Sequence, residues 1–135
     1  MALRYLLDTN ICIYIRRRRP PEVMRRFEQF KGGELAISLV TWGELLYGAE
    51  KSLRRKEALE LLQEFATMVP VIPMLPDVAE AYGHLRATLA GQGELIGGND
   101  LWIAAHALAL DVPLVTNNTA EFRRVPKLRL ENWVE

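Results

Sequence analysis

Acidic residues beside apolar segments are the part of this 135-residue sequence with the clearest capacity for chemistry. Three of them adjoin apolar runs: Asp8 follows Tyr5-Leu6-Leu7, Glu44 precedes Leu45-Leu46-Tyr47, and Asp100 precedes Leu101-Trp102-Ile103. If folding brings the three together, burial and mutual repulsion oppose their ionisation unless a cation neutralises them. Mg²⁺ and Mn²⁺ suit such a site because they prefer oxygen ligands and retain bound water. Asp8, Glu44 and Asp100 are therefore candidate metal ligands.

Each of these acids also has a purely structural interpretation. Asp8 is a suitable helix N-cap, and Asp100 fits the first turn of a helix, where a negative charge interacts favourably with the helix dipole. Glu44 matches the last position of a capping box that begins at Thr41. For each residue taken alone, the sequence leaves the structural and the chemical interpretation open.

Hydrophobic patterning predicts alternating short strands and helices. Strands are expected over residues 3–7, 35–38, 69–72 and 114–116, with 128–130 as a candidate fifth. Helices are expected over residues 11–18, 22–30, 41–51, 54–67, 77–90 and 101–110. Short apolar strands separated by helices indicate an α/β fold in three α/β/α layers, with a central, mainly parallel sheet of four to five strands.

The carboxyl ends of parallel strands form one edge of a sheet, and ligands of such folds bind there. Asp8 follows the first predicted strand, Glu44 lies soon after the second, and Asp100 opens the helix before the fourth. Three more polar residues follow the fourth strand: Asn117, Asn118 and Glu121. We therefore expect the acidic residues to converge on this edge.

Length and composition indicate a single domain over residues 1–135. Half of the residues are hydrophobic, which is typical of a folded globular protein. The longest apolar segments fall short of the roughly 20 residues that cross a bilayer, and the first residues lack a signal-peptide pattern. We expect a cytoplasmic protein without membrane association. The single cysteine, Cys12, excludes an internal disulfide and a multi-thiolate zinc site, and its isoleucine neighbours predict burial.

The net charge is zero, but residues 1–31 hold eight basic and three acidic residues. Such a basic region suits a phosphate backbone, although arginines also favour the last turn of a helix, and residues 16–19 fit both interpretations equally. The candidate phosphate-binding arginines are Arg16, Arg17, Arg18, Arg19, Arg25, Arg26, Arg123 and Arg124. Trp42, Tyr47 and Trp102 could stack on bases, but their helical spacing favours positions in the core.

Four segments, in this order, resemble the PIN-domain ribonucleases and most closely the VapC toxins. They are Leu-Leu-Asp-Thr-Asn, Trp-Gly-Glu-Leu-Leu-Tyr-Gly, Asn-Asp-Leu-Trp-Ile-Ala-Ala-His-Ala-Leu and Leu-Val-Thr-Asn-Asn-Thr-Ala-Glu-Phe. Each segment alone is a weak signal, but together they span essentially the whole chain. The resemblance implies a compact α/β/α endoribonuclease that uses Mg²⁺ or Mn²⁺, with Asp8, Glu44 and Asp100 at its acidic site.

The fourth acidic position departs from the commonest pattern of the family, in which many members carry aspartate where Asn117 or Asn118 stands. Asn118 can hydrogen-bond water or phosphate but adds no charge, and Glu121 is a candidate to supply it. Three further candidates for holding carboxylates, water or substrate are Thr9, Asn10 and Thr116. Turn and cap roles suit these three residues equally well.

The resemblance also implies partners and products. It implies a cognate VapB-type antitoxin, a homodimer, and operator DNA bound only through the antitoxin complex. Candidate dimer faces are residues 59–65 and the third-strand region. The implied substrate is structured RNA, with the tRNA anticodon region a favoured class, and attack by water would leave a 5′-phosphate and a 3′-hydroxyl.

Two alternatives come from other functional classes. A degenerate PIN-like module would bind RNA or protein without cutting it, which is suggested by the missing fourth aspartate. An aspartyl-phosphate protein would use Asp8 as its nucleophile. The second is disfavoured because Asn10 stands where the dehalogenase type of phosphatase has aspartate, and because Lys127 is the only lysine after Lys56.

Overall fold

A five-stranded, all-parallel sheet forms the middle of the computed structural model, which describes residues 2–135. The strands are β1 (Tyr5–Leu7), β2 (Leu35–Ser38), β3 (Val71–Ile72), β4 (Leu114–Val115) and β5 (Leu130–Glu131). Their order is β3-β2-β1-β4-β5, so β1 is central, with Leu6 in register with Ala36 of β2 and Leu114 of β4. The carboxyl ends of these three strands therefore meet at one edge of the sheet.

Helices supply the crossovers that parallel strands require. They are α1 (Thr9–Arg17), α2 (Pro21–Phe27), α3 (Leu39–Glu50), α4 (Arg55–Met68), α5 (Pro76–Gly91), α6 (Gly98–Leu110) and α7 (Thr119–Phe122). All of the predicted strands and helices are confirmed, and no end is shifted by more than three residues. The helix α7 was not predicted, because its four residues are too few to reveal a helical period.

Successive residues of the strands face opposite sides of the sheet, and each side has its own core. One core joins Leu7, Ile37 and Val115 to α1 and α4 through Ile11, Ile15, Leu62 and Phe65. The other joins Leu6, Ala36 and Leu114 to α5 and α6 through Leu85, Leu89, Ile103 and Ala104. Because both faces are covered by helices, the three-layer α/β/α prediction is confirmed.

The beginning of α3 differs from the prediction in a way that matters for Glu44. The capping box from Thr41 to Glu44 is wrong: the N-cap is Ser38, whose hydroxyl oxygen accepts a hydrogen bond from the Thr41 backbone N–H at 3.1 Å. The helix thus begins at Leu39, and Glu44 lies in its second turn rather than its first. The Glu44 carboxylate is therefore not used as a cap.

The arginine run continues beyond the end of α1. Arg18 is the C-cap and adopts a left-handed conformation with φ of 59°, so the run leaves the helix axis there. The helix α2 then begins at Pro21, whose missing N–H costs nothing at the first helical position. Arg17, Arg18 and Arg19 are all exposed at this junction.

A second polar cluster fastens α2 and the C-terminal segment to the sheet. Glu131 accepts hydrogen bonds from the Tyr5 hydroxyl at 2.6 Å, from the Arg26 guanidinium at 2.6 Å and from the Trp133 indole at 3.0 Å. The Phe30 ring stacks on the Trp133 ring, with 5.6 Å between their centroids. Arg26 is thus occupied by an ion pair within the protein, unlike the arginines at the end of α1.

Two smaller expectations concern Cys12 and membranes. Cys12 is fully buried and unpaired, as predicted. Within residues 2–135, no helix combines the length and apolar character needed to cross a membrane.

The cap of α3 gives a test of this local structure. We expect Ser38→Ala to lower the free energy of unfolding by about 1–2 kcal/mol, because it removes the acceptor of a buried N–H. Thr41→Val is the matched control, since the Thr41 hydroxyl has no hydrogen-bond partner among the described residues. Urea denaturation of both variants measures the two effects. A larger loss of unfolding free energy in Thr41→Val than in Ser38→Ala would mean that Thr41, and not Ser38, caps the helix.

Candidate active site

Asp8 lies where β1 ends and α1 begins. This position suits both of its predicted roles, as a helix N-cap and as a candidate metal ligand. As the N-cap of α1, its Oδ1 accepts a hydrogen bond from the Ile11 N–H at 3.1 Å. Its Oδ2 accepts one from the Thr116 hydroxyl, at the end of β4, at 2.5 Å. Burial raises the pKa of Asp8 to about 6, against the opposing effect of these hydrogen bonds. The carboxyl group is fixed in place but is costly to ionise.

Glu44 reaches the same edge of the sheet from α3. Its Oε1 accepts a hydrogen bond from the Thr9 hydroxyl at 2.6 Å, which links the first turn of α1 to the second turn of α3. The charge on Glu44 contributes to the raised pKa of Asp8. Thr9 and Thr116 therefore each orient one carboxylate of a pair that repel each other.

Asp100 faces the same region from the first turn of α6. Burial raises its pKa to about 7, and the carboxylates of Glu121, Glu44 and Asp8 raise it further, in that order of effect. Four carboxylates from four parts of the chain thus lie close enough to influence one another. Without a cation, this arrangement favours the protonated form of Asp100 below about pH 7.

Glu121 of α7 is the fourth carboxylate, and it is held by donors. Its Oε1 accepts from the Gly97 N–H at 2.8 Å, and its Oε2 accepts from the Asn118 side-chain amide at 2.5 Å. Burial acts to raise the pKa of Glu121, but hydrogen bonds with Gly97, Asp100 and Asn118 and the charge of Arg124 outweigh it and leave that pKa below its ordinary value. Of the neighbouring pair Asp100 and Glu121, Glu121 is the ionised member.

Gly97 is a part of this site that the sequence did not point out. A Cβ atom at Gly97 would lie 3.6 Å from Oδ2 of Asp100 and 3.7 Å from Oε1 of Glu121. The Gly97-Gly98 pair, which only Asn99 separates from Asp100, was the available signal, because bare backbone beside an acid suits close approach.

The remaining predicted residues have different surroundings. Asn118 donates from its side chain to Glu121 and from its backbone N–H to the Thr116 hydroxyl, at 2.9 Å, so it connects the two halves of the cluster. Asn117 is exposed and donates instead to the Tyr14 hydroxyl. Asn10 and Arg123 are exposed and have no side-chain hydrogen bond within residues 2–135.

The oxygen-rich cluster fits a hard divalent cation by the chemistry of its donors. Among the described residues, however, no three acidic, histidine or cysteine side chains lie close enough to hold one ion jointly. Mg²⁺ does not need such a cage, because it is commonly bound by one or two carboxylates together with waters and substrate phosphates. The geometry therefore suits an ion that binds together with a phosphate ligand.

A groove of about 1370 Å³ extends from this cluster between α1, α3 and α4. Thr9 and Glu44 lie at its inner end, and Arg16, Arg17 and Arg18 line it farther out. Tyr47 also lines the groove and is 66% exposed. The prediction that Tyr47 belongs to the core is thus wrong, because α3 buries the face that carries Thr41, Leu45 and Ala49, and Tyr47 lies on the opposite side.

Comparison with known proteins identifies the family. The PIN domain family model matches residues 5–128. The chain is 45% identical to ribonuclease VapC2 of Haemophilus influenzae, over 98% of this chain and 99% of that protein. It is 42% identical to the tRNA(fMet)-specific endonuclease VapC of Shigella flexneri, over 97% of this chain and 98% of that protein.

Solved structures agree with the sequence relatives. The fold matches a chain of the DNA-bound VapBC complex from Salmonella typhimurium with a TM-score of 0.92 and 37% identity, over 97% of this chain and 98% of that one. It matches a chain of VapBC2 from Rickettsia felis, bound to a promoter DNA fragment, with a TM-score of 0.88 and 38% identity, over 97% and 99% of the two chains. The chain therefore belongs to the PIN-domain family and, within it, to the VapC ribonucleases.

Proposed function

We propose that this VapC ribonuclease is a Mg²⁺- or Mn²⁺-dependent toxin that cuts structured RNA at the carboxylate cluster. The observation that carries the proposal is the convergence of Asp8, Glu44 and Asp100, where burial raises the pKa of both aspartates. A cluster that resists ionisation by itself is a strong ligand for a cation that removes the repulsion. Asp8, Glu44 and Asp100 are the proposed ligands. Because no three such side chains among the described residues lie close enough to hold one ion jointly, one or two of them would bind it together with waters and an RNA phosphate.

The bound cation would supply polarisation of a water and stabilisation of charge on the attacked phosphate. The protein's own residues then have positioning tasks. Thr116 fixes Asp8 and Thr9 fixes Glu44, so neither carboxylate has to reorganise when substrate binds. Attack by water leaves a 5′-phosphate and a 3′-hydroxyl.

Glu121 is proposed as the fourth acidic group in place of the family's usual aspartate. It is ionised, it adjoins Asp100, and Asn118 orients it rather than replacing it. This removes the reason for considering a degenerate binding module, which rested on a missing fourth acid. The aspartyl-phosphate alternative is disfavoured by relatives that are named ribonucleases.

The RNA target is proposed to be tRNA, cut in the anticodon region. Support comes from the names of two relatives, the tRNA(fMet)-specific endonucleases of Shigella flexneri and Salmonella typhimurium, at 42% and 37% identity. The exposed arginines at the end of α1 would position such a substrate through its phosphates without specifying its sequence.

A VapB-type antitoxin is the proposed partner, with operator DNA bound through the complex. Support comes from the VapBC neighbours, two of which contain DNA. An arginine or lysine of such a partner could neutralise the carboxylate cluster. The homodimer stays a prediction, and the third-strand region lies at a sheet edge, beside a shallow apolar pocket lined by Val40, Leu75 and Trp102.

The first test is cleavage of total cellular RNA by the purified chain with Mg²⁺, with Mn²⁺ and with EDTA. We expect discrete fragments that carry 5′-phosphates, no cleavage with EDTA, and a loss of about 100-fold or more in Asp8→Asn and Asp100→Asn. Circular dichroism verifies that both variants fold. Cleavage that persists in EDTA or in both variants would overturn the proposed site.

The role of Glu121 has its own test. We expect Glu121→Gln to lower kcat by about 10- to 100-fold and Asn118→Ala by about tenfold or less, because Asn118 acts only through Glu121. Asn117→Ala is the matched control, since its side chain faces Tyr14. If Glu121→Gln were as active as the wild type, Asn118 and not Glu121 would be the residue that replaces the family's fourth aspartate.

The raised pKa values predict how stability depends on pH in EDTA. Asp8 and Asp100 titrate near 6 and 7 in the folded protein and near 4 when unfolded, so they favour folding while protonated. We expect the free energy of unfolding to fall between about pH 5 and pH 7, and to fall less in Asp8→Asn and Asp100→Asn. Urea denaturation across this range measures it, and an identical slope in wild type and variants would contradict the assignment.

Added Mg²⁺ should reverse this loss most strongly above pH 7, because a cation that binds only the folded, deprotonated cluster stabilises it by mass action. The same denaturation series with Mg²⁺ provides the comparison.

A further inference from the structure

The two helices that carry Thr9 and Glu44 continue away from the cluster as the walls of the groove. On α1, Thr9, Ile13 and Arg16 lie at helical spacing on the groove side. Glu44 and Tyr47 of α3 do the same, and they are followed by Lys51, the C-cap of that helix. Seven residues of helix span roughly 10 Å, so each wall extends about that far beyond the acidic groups. The groove therefore begins at the proposed cleavage site and is long enough for more than the scissile phosphate.

Tyr47 is placed to meet a base. It lies one turn of α3 beyond Glu44, is 66% exposed, and has the ammonium group of Lys51 at 4.8 Å from its ring centroid. An exposed aromatic ring beside a cation is the usual platform on which unpaired bases stack in single-stranded nucleic acid sites.

Two glycines near Tyr47 leave part of this wall of the groove without side chains. Gly43 and Gly48 both line the groove, and a Cβ atom at either would meet no protein atom within 4 Å. Glycine in a helix interior is destabilising relative to alanine, and here the protein's own packing offers no reason for it. The open space beside both residues is room for a ligand.

The basic residues of the groove favour a polyanion as its ligand, and the rest of its lining is largely apolar, which suits bases. Arg16, Arg17, Arg18 and Lys51 line it, against Glu44 and Glu64. Within residues 2–135, these four basic residues make no salt bridge, and the Nε atom of Arg16 is buried without a hydrogen-bond partner. A guanidinium group that is partly removed from water and lacks a carboxylate needs an anion from elsewhere.

We propose that this groove holds a single-stranded RNA segment adjoining the scissile phosphate, with one base stacked on Tyr47 and backbone phosphates bound by Arg16 and Arg17. This rests on the proposed function, since it places the segment next to the carboxylate cluster. A base within a duplex is already stacked on its neighbours, so the groove selects substrates whose cleavage site lies in a loop.

Kinetics on an RNA that the wild-type protein cuts give the first test. We expect Tyr47→Ala to raise KM about tenfold with a smaller effect on kcat, and Tyr47→Phe to restore KM, because the ring and not the hydroxyl does the stacking. Leu53→Ala is the control, since Leu53 is fully exposed and outside the groove. Wild-type KM in Tyr47→Ala would overturn the proposal while leaving the proposed function standing.

Gly48→Leu tests the space itself. The new side chain meets no protein atom at its Cβ, so we expect folding to be preserved and KM to rise at least as much as in Tyr47→Ala. Arg16→Gln should lower affinity and reduce the slope of log affinity against log salt by about one. If Gly48→Leu binds RNA normally but loses an inhibitory protein partner, the groove is a protein site and the proposal is wrong.

Photo-crosslinking keeps the test independent of cleavage. In the Asp8→Asn background, a short single-stranded RNA containing 5-iodouracil should crosslink to the peptide that contains Tyr47, and the crosslink should vanish in Tyr47→Ala. A crosslink at Tyr47 without any cleavage by wild type would refute the proposed function alone. Crosslinks only at other peptides would refute the proposal that the groove binds RNA.

Discussion

The cost of placing several carboxylates at one edge of a parallel sheet is the constraint around which this molecule is organised. Asp8, Glu44 and Asp100 come from three different crossover units, and the fold brings them together because β1, β2 and β4 end side by side. Burial then raises the pKa of both aspartates, so the isolated site favours protons. In the proposed function, a divalent cation and an RNA phosphate, bound together, would convert that unfavourable arrangement into a reactive one.

Hydrogen bonds from the backbone and from hydroxyl groups keep the site in place despite this repulsion. Thr116 binds Asp8, Thr9 binds Glu44, and the Gly97 N–H binds Glu121. The donors come from β4, α1 and the loop before α6, so the same contacts that orient the carboxylates also join separate elements of the fold. In this protein one set of interactions would therefore serve both the tertiary structure and the preorganisation of the proposed site.

The sequence predicted the layers and most elements because apolar strands and amphipathic helices have distinct periods, and it predicted Asp8 and Asp100 because they follow or open such elements. It did not predict the true start of α3, since Ser38 and Thr41 are equally good caps and only the sheet geometry selects Ser38. That shift freed Glu44 from a capping role. Tyr47 is exposed for a separate reason, because it lies opposite the face of α3 that carries Leu45 and Ala49. Contacts between distant residues, such as Gly97 with Glu121, leave no local pattern to read.

Calorimetric titration of Mn²⁺ into the metal-free protein, in buffers of different ionisation enthalpy, tests the central claim most directly. If the carboxylate cluster is the metal site, binding near pH 6.5 should release protons from Asp8 and Asp100, and the release should disappear by about pH 8. Asp100→Asn should bind more weakly and release fewer protons. Binding without proton release at pH 6.5, or binding unchanged in Asp8→Asn and Asp100→Asn, would contradict the account.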